Sequence, residues 1–524
     1  MKLNYKRTIF VGFAFFLICA FWQAYDNIVP KILTERFGIS QTASGIVMAL
    51  DNILALFMLP MFGVISDKCK SKMGRRTPFI LFGTILAVTL LLSLSFVDNA
   101  QLKKIEAVTD IESATVRETI YDYDYDGVII TPEGDKFVLA ETTDEEDCRT
   151  FTKDEFLSIK TFDEKGKATD DYTNYVVSAR QAYIYQEITS KDPSTLIILI
   201  ALLFVLLISM ATFRTPAVSL MPDVTPKPLR SKGNAIINLM GTLGGSLILG
   251  VGILLGTGNV KNTFINYYPY FIVVGIIMLG CLVAFMLTVH EKKFVSDMES
   301  ESAAMGIVEN PELDESGEKR KLSRGEMKSL ILILSSVVLW FFGYNAVTSK
   351  YSVYAGQVLN LDYNTTLLVA NIAALIAYIP VGIISSKIGR KKSIMAGVTI
   401  LASAFFIAAF MRNGTPLIVM TILFVLAGIG WATINVNSFP MVVELAKGGD
   451  VGKYTGFYYT ASMAAQTITP VLSGIVIDNF GMTKLFPYAT VFVALAFVTM
   501  FFVKHGDAKP EKQGALESLA GADD

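Results

Sequence analysis

Residues 63–76 read GVISDKCKSKMGRR and form a short polar loop between two long apolar stretches. A degraded copy, GIISSKIGRKK, occupies residues 382–392, again between two apolar stretches, and has Ser386 at the position of Asp67. Each copy follows the second apolar stretch in a set of six. The repeat therefore predicts two related six-helix halves whose symmetry axis runs along the normal of a membrane.

The apolar stretches are long enough to cross a bilayer, which takes about 20 mostly apolar residues per helix. The chain is 52% hydrophobic and 18% charged, whereas soluble domains carry about 25% charged residues. We therefore predict an all-α membrane protein, embedded in the lipid bilayer, whose first span lacks a cleavage site and is retained. Its twelve transmembrane helices are expected near residues 9–33, 43–66, 78–97, 194–220, 233–256, 267–289, 328–349, 364–386, 393–411, 417–440, 454–477 and 484–503.

Charges in the connecting loops predict the orientation of these helices. With the N-terminus in the cytoplasm, 27 of the 45 basic residues face the cytoplasm and 6 lie in short loops on the other face. Such a bias marks the cytoplasmic side, so we expect a multi-pass protein of the cell membrane with both termini cytoplasmic. The predicted domains are transmembrane helices 1–3 (residues 1–97), an extracellular insert (98–192), helices 4–6 (193–289), a flexible cytoplasmic linker (290–327), helices 7–12 (328–504) and a cytoplasmic tail (505–524).

Several function classes are disfavoured by composition. The net charge of −2 argues against a nucleic-acid partner. The four cysteines have no disulfide or zinc-site spacing, and two histidines leave little room for histidine catalysis. A nucleotide-binding P-loop is absent from the sequence. We therefore expect neither an enzyme nor an ATP-driven carrier, no metal or other cofactor, and a monomeric chain.

The insert, residues 98–192, carries 23 acidic and 11 basic residues. Aromatic and polar residues alternate over 121–130, 136–140 and 172–185, which is typical of strands, and residues 132–134 (PEG) indicate a turn. The sequence thus predicts a small, β-rich extracellular domain between helices 3 and 4.

One motif in the insert has two interpretations. Asp122, Asp124, Asp126, Gly127 and Glu133 match the spacing of a calcium-binding loop. The alternative is an acidic strand with its aspartates in water, which the neighbouring proline and the strand-like flanks favour.

The repeated loop also suggests a gate. Gly63 and Gly74 permit close backbone approach at a tight turn, while Asp67 ends a helix and faces Arg75 and Arg76. We predict that this charge network holds the cytoplasmic side shut in one state and releases it in the other. The simpler alternative is a basic loop that only sets the orientation.

This loop resembles the signature of the major facilitator superfamily, and the likeness extends over all twelve predicted spans. Its lengthened form is similar to that of sucrose/proton symporters and their bacterial relatives, which are related to the glycoside–pentoside–hexuronide cation symporters. Pro216, Leu220 and Asp223, together with residues 233–235 (GNA) and 428–437 (GIGWATINVN), fit the same group. The resemblance implies symport of a glycoside or disaccharide with a proton by alternating access.

The chain departs from that group at one position. Plant members have an arginine five residues before the acid at the end of helix 4, where this chain has Val218. Arg214 lies four residues earlier, one turn along the same helical face. The resemblance therefore implies a sugar-binding role for Arg214 only because Arg214 lies close to the position of the arginine in the plant members.

Ionisable residues inside spans are expensive and indicate functional sites. Asp26 and Asp51 lie roughly 10 Å and roughly 12 Å from the outer ends of helices 1 and 2, at a rise of about 1.5 Å per residue. We expect this pair to carry the coupling proton, with sodium as the alternative ion. Structural interpretations exist as well, namely snorkelling of Asp26 and Arg214 to the interface and an interhelical bond for Asp51.

A sugar site needs hydrogen-bonding groups for hydroxyls and an aromatic face for the C–H surface. Amides and aromatic residues of this kind cluster near the predicted midplane, although each alone is also compatible with a helix–helix hydrogen bond. The candidate substrate-binding residues are Gln23, Arg214, Tyr344, Asn345, Trp431, Asn435 and Gln466.

Two other functions compete with sugar symport. An efflux or exchange carrier would share the fold but differ in chemistry. A sensor would bind its ligand in the insert and use the helices only for signalling, which two repeated halves and intramembrane charges disfavour.

Overall fold

The structure, a computed structural model, describes residues 3–164, 166–226, 229–258, 264–304, 322–445 and 451–506. Long helices dominate it because the apolar stretches must satisfy their backbone groups internally within a bilayer. Its α-helices are α1 (Tyr5–Lys31), α2 (Gln41–Asp67), α3 (Thr77–Lys104), α4 (Ala114–Tyr121), α5 (Lys153–Ser158), α6 (Ser178–Tyr183), α7 (Ser194–Asp223), α8 (Arg230–Leu254), α9 (Tyr268–Thr288), α10 (Glu291–Ala304), α11 (Arg324–Tyr354), α12 (Tyr363–Ile388), α13 (Arg390–Ala408), α14 (Leu417–Glu444), α15 (Val451–Phe480) and α16 (Leu485–Phe501).

Short π-helical and 3-10 turns extend or connect several of these helices. The π-helical turns are Ile32–Arg36, Tyr172–Val177, Ile184–Thr189 and Ala355–Leu359, and the 3-10 turns are Glu106–Val108 and Met482–Lys484. The strands are β1 (Ile129–Ile130), β2 (Lys136–Val138) and β3 (Cys148–Thr150). They form one sheet in the order β1-β2-β3, antiparallel between the first two and parallel between the last two.

The long helices form two halves with separate hydrophobic cores. One core draws its buried side chains from α1, α2, α3, α7, α8 and α9, and the other from α11 to α16. Helix pairs correspond between the halves: α1 packs on α8 as α11 packs on α15, and α3 packs on α7 as α13 packs on α14. The halves meet along α2–α15 and α8–α12. The predicted duplication is therefore present in the packing.

Eleven helices in the described part of the chain are long and apolar enough to cross a membrane. At the position of the eighth predicted span, α12 contains the shorter apolar stretch Tyr363–Tyr378. The exposed side chains of the spans include large apolar ones such as Phe57, Phe82 and Leu287, as expected where a helix faces lipid. The chain is a multi-pass membrane protein, and twelve remains the predicted number of spans.

The insert differs from its prediction. The sheet comprises only two- and three-residue strands, and the predicted strand over 172–185 is wrong because this stretch is helical. Every residue from Tyr172 to Arg180 is buried, so this helical stretch is covered on all sides and shows neither alternating burial nor a single buried face. Tyrosine-rich composition favours strands, but this local preference is overridden by packing inside the insert, where the stretch is buried on all sides.

The calcium loop is not supported in the described residues, which contain no group of three or more His, Cys, Asp or Glu side chains that could hold a metal. Asp122 instead accepts two hydrogen bonds from Lys153 Nζ, at 2.9 and 2.7 Å.

At the base of the insert, hydrogen bonds from Lys104 and Ser194 lower the pKa of Asp192 to about 2.

The beginning of the predicted flexible linker is also a helix. Here α10 packs beneath the first half, and its Glu301 pairs with Arg7 of α1 at 2.7 Å. The side of the molecule that carries α10 is called the linker side below, and the opposite side, which carries the insert, is called the insert side. The remaining linker residues 305–321 and tail residues 507–524 lie outside the described residues.

Candidate functional site

A central cavity of about 270 Å³ lies between the two halves. The first half contributes Gln23, Asp26, Asn27 and Thr242 to its wall, from α1 and α8. The second half contributes apolar and aromatic side chains of α11, α12, α13 and α14, with a few polar groups among them. Its members include Tyr344, Thr348, Asn371, Tyr378, Phe424 and Trp431. The cavity thus joins a polar wall to an aromatic one.

The aromatic wall is built on two stacked rings. Tyr344 of α11 and Trp431 of α14 are parallel, with centroids 3.5 Å apart. Phe341 packs edge-on against Trp431 at 5.3 Å. Both stacked rings line the cavity, so aromatic surface and hydrogen-bonding groups share one space. This combination suits a ligand that has both hydroxyls and a C–H face.

A second, smaller pocket of about 120 Å³ holds both predicted acids. Asp26 and Asp51 of the first half line it together with Asn52, and Asn345, Ser349 and Gln466 of the second half complete it. Asp51 accepts hydrogen bonds from Asn52 N at 2.6 Å and Asn52 Nδ2 at 2.8 Å. This acid pocket therefore contains two carboxylates and an amide from the first half, and further amides from the second.

Asp26 belongs to both spaces, since it lines the central cavity and the acid pocket. Asp51, by contrast, lines only the acid pocket among these two spaces. A ligand in the central cavity and an ion in the acid pocket would thus both contact Asp26.

Two predicted site residues lie elsewhere. Arg214 lines a third cavity, a vestibule of about 780 Å³ on the linker side, where its guanidinium lies 5.6 Å from the centre of the Trp22 ring. Its charge acts on both Asp26 and Asp51 from there. Asn435 is 1% exposed within α14 and is not among the residues that line either the central cavity or the acid pocket.

The predicted gate residues form a compact network on the linker side. Arg76 donates to Asp223 at 2.9 Å and to Ser66 at 2.5 Å, and it also pairs with Asp67. Arg75 pairs with Asp223 at 2.9 Å. These contacts join the ends of α2, α3 and α7, all within the first half. In this state the network therefore organises one half, and its role as a gate between halves remains a prediction.

An acid that the sequence interpretation missed stabilises the same corner. Glu291 of α10 accepts hydrogen bonds from the backbone N–H groups of Arg75, Arg76 and Thr77 at 2.8–3.0 Å, and from Thr77 Oγ1 at 2.8 Å. A carboxylate at the start of a helix accepts hydrogen bonds from the unpaired backbone N–H groups there and interacts favourably with the helix dipole. Gly74 makes room for it, because a Cβ there would lie 2.2 Å from Glu291 Oε2, and its φ is +116°.

We expect Glu291→Ala to destabilise the protein by about 2 kcal/mol, since several buried donors at the start of α3 would lose a charged acceptor. The measurement is thermal unfolding of the purified protein in detergent. Glu299→Ala is the matched control, because Glu299 is an exposed acid on the same helix. Equal unfolding temperatures for the two variants would contradict the assignment of Glu291 as a cap.

The second copy of the loop retains part of this chemistry. Arg390 at the start of α13 pairs with Glu444 at the end of α14 and donates to the carbonyl of Pro440 at 3.2 Å. Arg76 and Asp223 occupy the equivalent helix ends in the first half. The arginine–acid pair is therefore duplicated, whereas the aspartate of the first copy is replaced by serine.

On the insert side the two halves are in close contact. Asp478 of α15 accepts hydrogen bonds from Gln41 N at 2.8 Å and Thr42 N at 2.7 Å. Lys350 of α11 donates to Gln41 O at 2.6 Å and is 1% exposed. Gly474 allows this approach, since a Cβ there would lie 2.6 Å from Gln41 O. An acid and a base of the second half thus hold the start of α2.

A second contact closes the other edge of the insert side. Asn364 of α12 donates to Thr257 Oγ1 at 3.0 Å, and Tyr363 Oη lies 3.1 Å from the same hydroxyl. On the linker side, in contrast, residues of both halves line the large vestibule, including Gly63 and Arg214 of the first half and Tyr459 of the second. The structure is therefore closed on the insert side and open on the linker side.

Lys350 and Asp478 were missed because the predicted spans ended at residues 349 and 477. In the structure α11 runs to Tyr354 and α15 to Phe480, so both charges lie within helices. The sequence did offer a signal: each charge lies one residue beyond a predicted span end, and the residues that follow it are compatible with a longer helix. Glu291 was missed because a charged, helix-length segment was interpreted as flexible.

The chain belongs to the Major Facilitator Superfamily, whose family model matches residues 182–379 and 367–520. A model described as MFS/sugar transport protein matches residues 11–105. Among curated proteins, the MFS-type transporter ppzB of Metarhizium rileyi is 25% identical over 117 residues, 22% of this chain and 24% of that protein. The uncharacterized protein YqgE of Bacillus subtilis is 26% identical over 195 residues, 35% of this chain and 44% of that protein. The matched regions thus span less than half the length of these relatives.

Solved structures share the fold over nearly the whole chain. The xylose transporter XylE of E. coli, in an inward-open conformation, has a TM-score of 0.56 at 13% identity and covers 98% of both chains. A peptide transporter, POT, has a TM-score of 0.55 at 11% identity, covering 95% of this chain and 93% of that chain. The nucleoside transporter NupG has a TM-score of 0.51 at 11% identity, covering 96% and 100%. At these identities the likeness establishes the fold alone.

Proposed function

We propose that this chain is a secondary active transporter that carries a sugar, either a glycoside or a disaccharide, together with a proton by alternating access. The observation that carries the proposal is the position of Asp26, which lines both the central cavity and the acid pocket. Coupled transport requires that ion binding and solute binding favour each other. A carboxyl group shared by the two spaces provides a direct route for that coupling.

The sugar assignment has support from the cavity and from the relatives. The parallel rings of Tyr344 and Trp431 line the same cavity as Gln23, Asp26 and Asn27. Part of the chain matches a family model for sugar transport, and a D-xylose-proton symporter is among the proteins of the same fold. The lengthened loop at residues 63–76 favours the sucrose/proton symporter group within the superfamily.

Sodium is the second candidate ion, because the acid pocket contains several oxygen groups that could bind a cation. Besides two carboxylates, the pocket is lined by the amides of Asn52, Asn345 and Gln466 and the hydroxyl of Ser349. Oxygen ligands of these types suit hard cations. A proton needs only one of the carboxylates, and for that reason we place the proton first.

The test is a transport screen in proteoliposomes that contain the purified protein. Mono- and disaccharides are added under an imposed pH gradient, a sodium gradient or neither, and both solute uptake and internal pH are followed. The proposal predicts that at least one sugar is accumulated under the pH gradient and carries protons inward. Transport of a nucleoside or peptide instead, or sugar efflux driven by inward protons, would contradict it.

We expect Trp431→Ala to weaken sugar binding by about 10- to 100-fold, since an aromatic platform contributes on the order of 1–3 kcal/mol through its buried apolar face. Trp431→Phe retains a flat ring and should lose much less. Equilibrium binding of the sugar found in the screen, followed by calorimetry, measures both variants. Equal affinities for the alanine and phenylalanine variants would show that the ring contributes no binding surface.

A further inference from the structure

We propose that the insert, residues 98–192, is a strap that holds the insert side of the transporter closed. The insert is attached to the first half and contacts the second half at two separate places. The proposal depends on relative movement of the two halves and not on the identity of the solute or ion.

The insert is firmly joined to the first half. Its ends continue α3 and lead into α7, and Lys104 Nζ and Asp192 Oδ2 pair at 2.6 Å across its base. Beside this base, Arg36 of the π-helical turn after α1 pairs with buried Asp98 at 3.2 Å. Above it, the insert has its own hydrophobic core, which includes Ile120, Phe137, Phe156, Tyr172 and Val176. The insert should therefore move with the first half as one body.

The first contact with the second half is made by the turn between β1 and β2. Thr483, which follows α15, donates its backbone N–H to the carbonyl of Pro132 at 3.0 Å. Gly134 and Gly481 lie back to back: a Cβ on Gly134 would be 2.4 Å from Phe480 O, and one on Gly481 would be 2.4 Å from Gly134 N. The two glycines thus allow the main chain of the β1–β2 turn to contact the main chain at the end of α15.

The second contact is made by the carbonyl of Ala168. Asn413, in the connection between α13 and α14, donates to it at 2.8 Å, and Asn360, after α11, donates at 3.4 Å. Ala168 belongs to the hydrophobic core of the insert, so this carbonyl is held in place. The turn and Ala168 together reach the ends of helices α11, α13 and α15 in the second half.

These contacts suit a strap that must release. They consist of hydrogen bonds, glycine contacts and limited packing between the turns Tyr172–Val177 and Ala355–Leu359. Between the insert and the contact of the two halves remains a cavity of about 270 Å³, lined by residues that include Gln41, Thr131, Gln181 and Asp478. Hydrogen bonds of this kind exchange readily with water. When the halves separate on this side, every one of these contacts must break. The insert therefore shifts the equilibrium toward the insert-side-closed state.

The test compares two glycine variants of the insert. Gly134→Ala places a methyl group against Phe480 O, whereas Gly127→Ala meets nothing within 4 Å. Both glycines have positive φ, +97° and +83° respectively, so the two variants carry a similar local backbone strain. Only Gly134→Ala should weaken the strap.

The readout is the distance distribution between spin labels in a cysteine-free background. Labels at Ala100 and Leu417, both exposed near the insert side, report separation there, and labels at Lys72 and Lys392 report the linker side. Loss of about one to two hydrogen bonds predicts a five- to tenfold rise in the insert-side-open population for Gly134→Ala. Gly127→Ala should leave the distribution unchanged.

A second pair of variants avoids backbone strain altogether. Asn413→Ala removes the donor to Ala168, and Asn479→Ala is its control because that side chain bonds within its own helix, to Ile475 O at 2.7 Å. The proposal predicts a shift for Asn413→Ala alone. If the labels show the same distribution for Asn413→Ala and Asn479→Ala, or equal shifts for the two glycine variants, the insert is not a strap.

Discussion

Replacing Asp51 by asparagine is expected to abolish accumulation of solute against its gradient while leaving exchange of labelled for unlabelled solute largely intact. One proton per solute lets a pH difference of two units support an accumulation of about 100-fold, because each unit corresponds to about 1.36 kcal/mol. The amide of the variant side chain cannot take up a proton in this range. The accumulation ratio should therefore fall to about one.

Exchange should survive because Asp51 lies in the acid pocket and not on the wall of the central cavity. An asparagine also preserves the size of the side chain and an oxygen that can accept from Asn52. Asp26→Asn is expected to differ, since Asp26 lines both spaces: it should impair solute binding as well as accumulation. The two variants thus separate ion coupling from solute binding.

Both quantities are measured in proteoliposomes, with Asp135→Asn, an exposed acid of the insert, as the control variant. Accumulation driven by a pH gradient in Asp51→Asn would show that Asp51 does not carry the proton. Loss of exchange to the same extent as in Asp26→Asn would show that the two carboxylates do not have separate roles.

Replacing Asp478 by alanine is expected to shift the protein strongly toward the insert-side-open state. Asp478 accepts two backbone hydrogen bonds from the start of α2 across the interface between halves, and each bond to a charged acceptor contributes about 1.5–3 kcal/mol. The alanine variant also leaves the ammonium of Lys350 buried without this neighbouring negative charge. Both effects destabilise the closed state, so we expect its population relative to the open state to fall on the order of 100-fold.

The label pair at Ala100 and Leu417 measures this change, and Asn479→Ala on the same helix is the control. Adding Lys350→Met to Asp478→Ala should recover part of the closed population, because the uncompensated buried charge is removed. A double variant as open as the single one would show that Lys350 responds little to Asp478. A closed distribution for Asp478→Ala alone would show that Asp478 does not stabilise the insert-side-closed state.

The fold was predictable because its strongest signals are long apolar stretches and a repeated loop. Residues 63–76 and 382–392 follow corresponding helices, and the two separate cores confirm the two halves. The insert was harder, since Tyr172 to Ala179 has a composition typical of strands but forms a helical stretch that is buried on all sides. Short strands such as β1 depend on contacts across the insert that local sequence does not encode.

The candidate site was predictable in part for a related reason. Asp26 and Asp51 are conspicuous as charges inside apolar helices, and the structure places them in one pocket. Lys350 and Asp478 lie at helix ends, where a charge is common and gives no signal by itself. Which of Gln23, Arg214 and Asn435 share a cavity depends on helix rotation and crossing, which are set by packing between distant segments.

Proton coupling through Asp26 is tested most directly by the proton uptake that accompanies solute binding. Sugar is added to the purified protein in weakly buffered detergent solution, and the pH change is recorded alongside binding. The account predicts that sugar binding takes up protons and makes the solution more alkaline, that Asp26→Asn and Asp51→Asn abolish this change, and that sodium does not replace it. Sugar binding that is saturable and yet releases or takes up no protons, or that requires sodium, would contradict it.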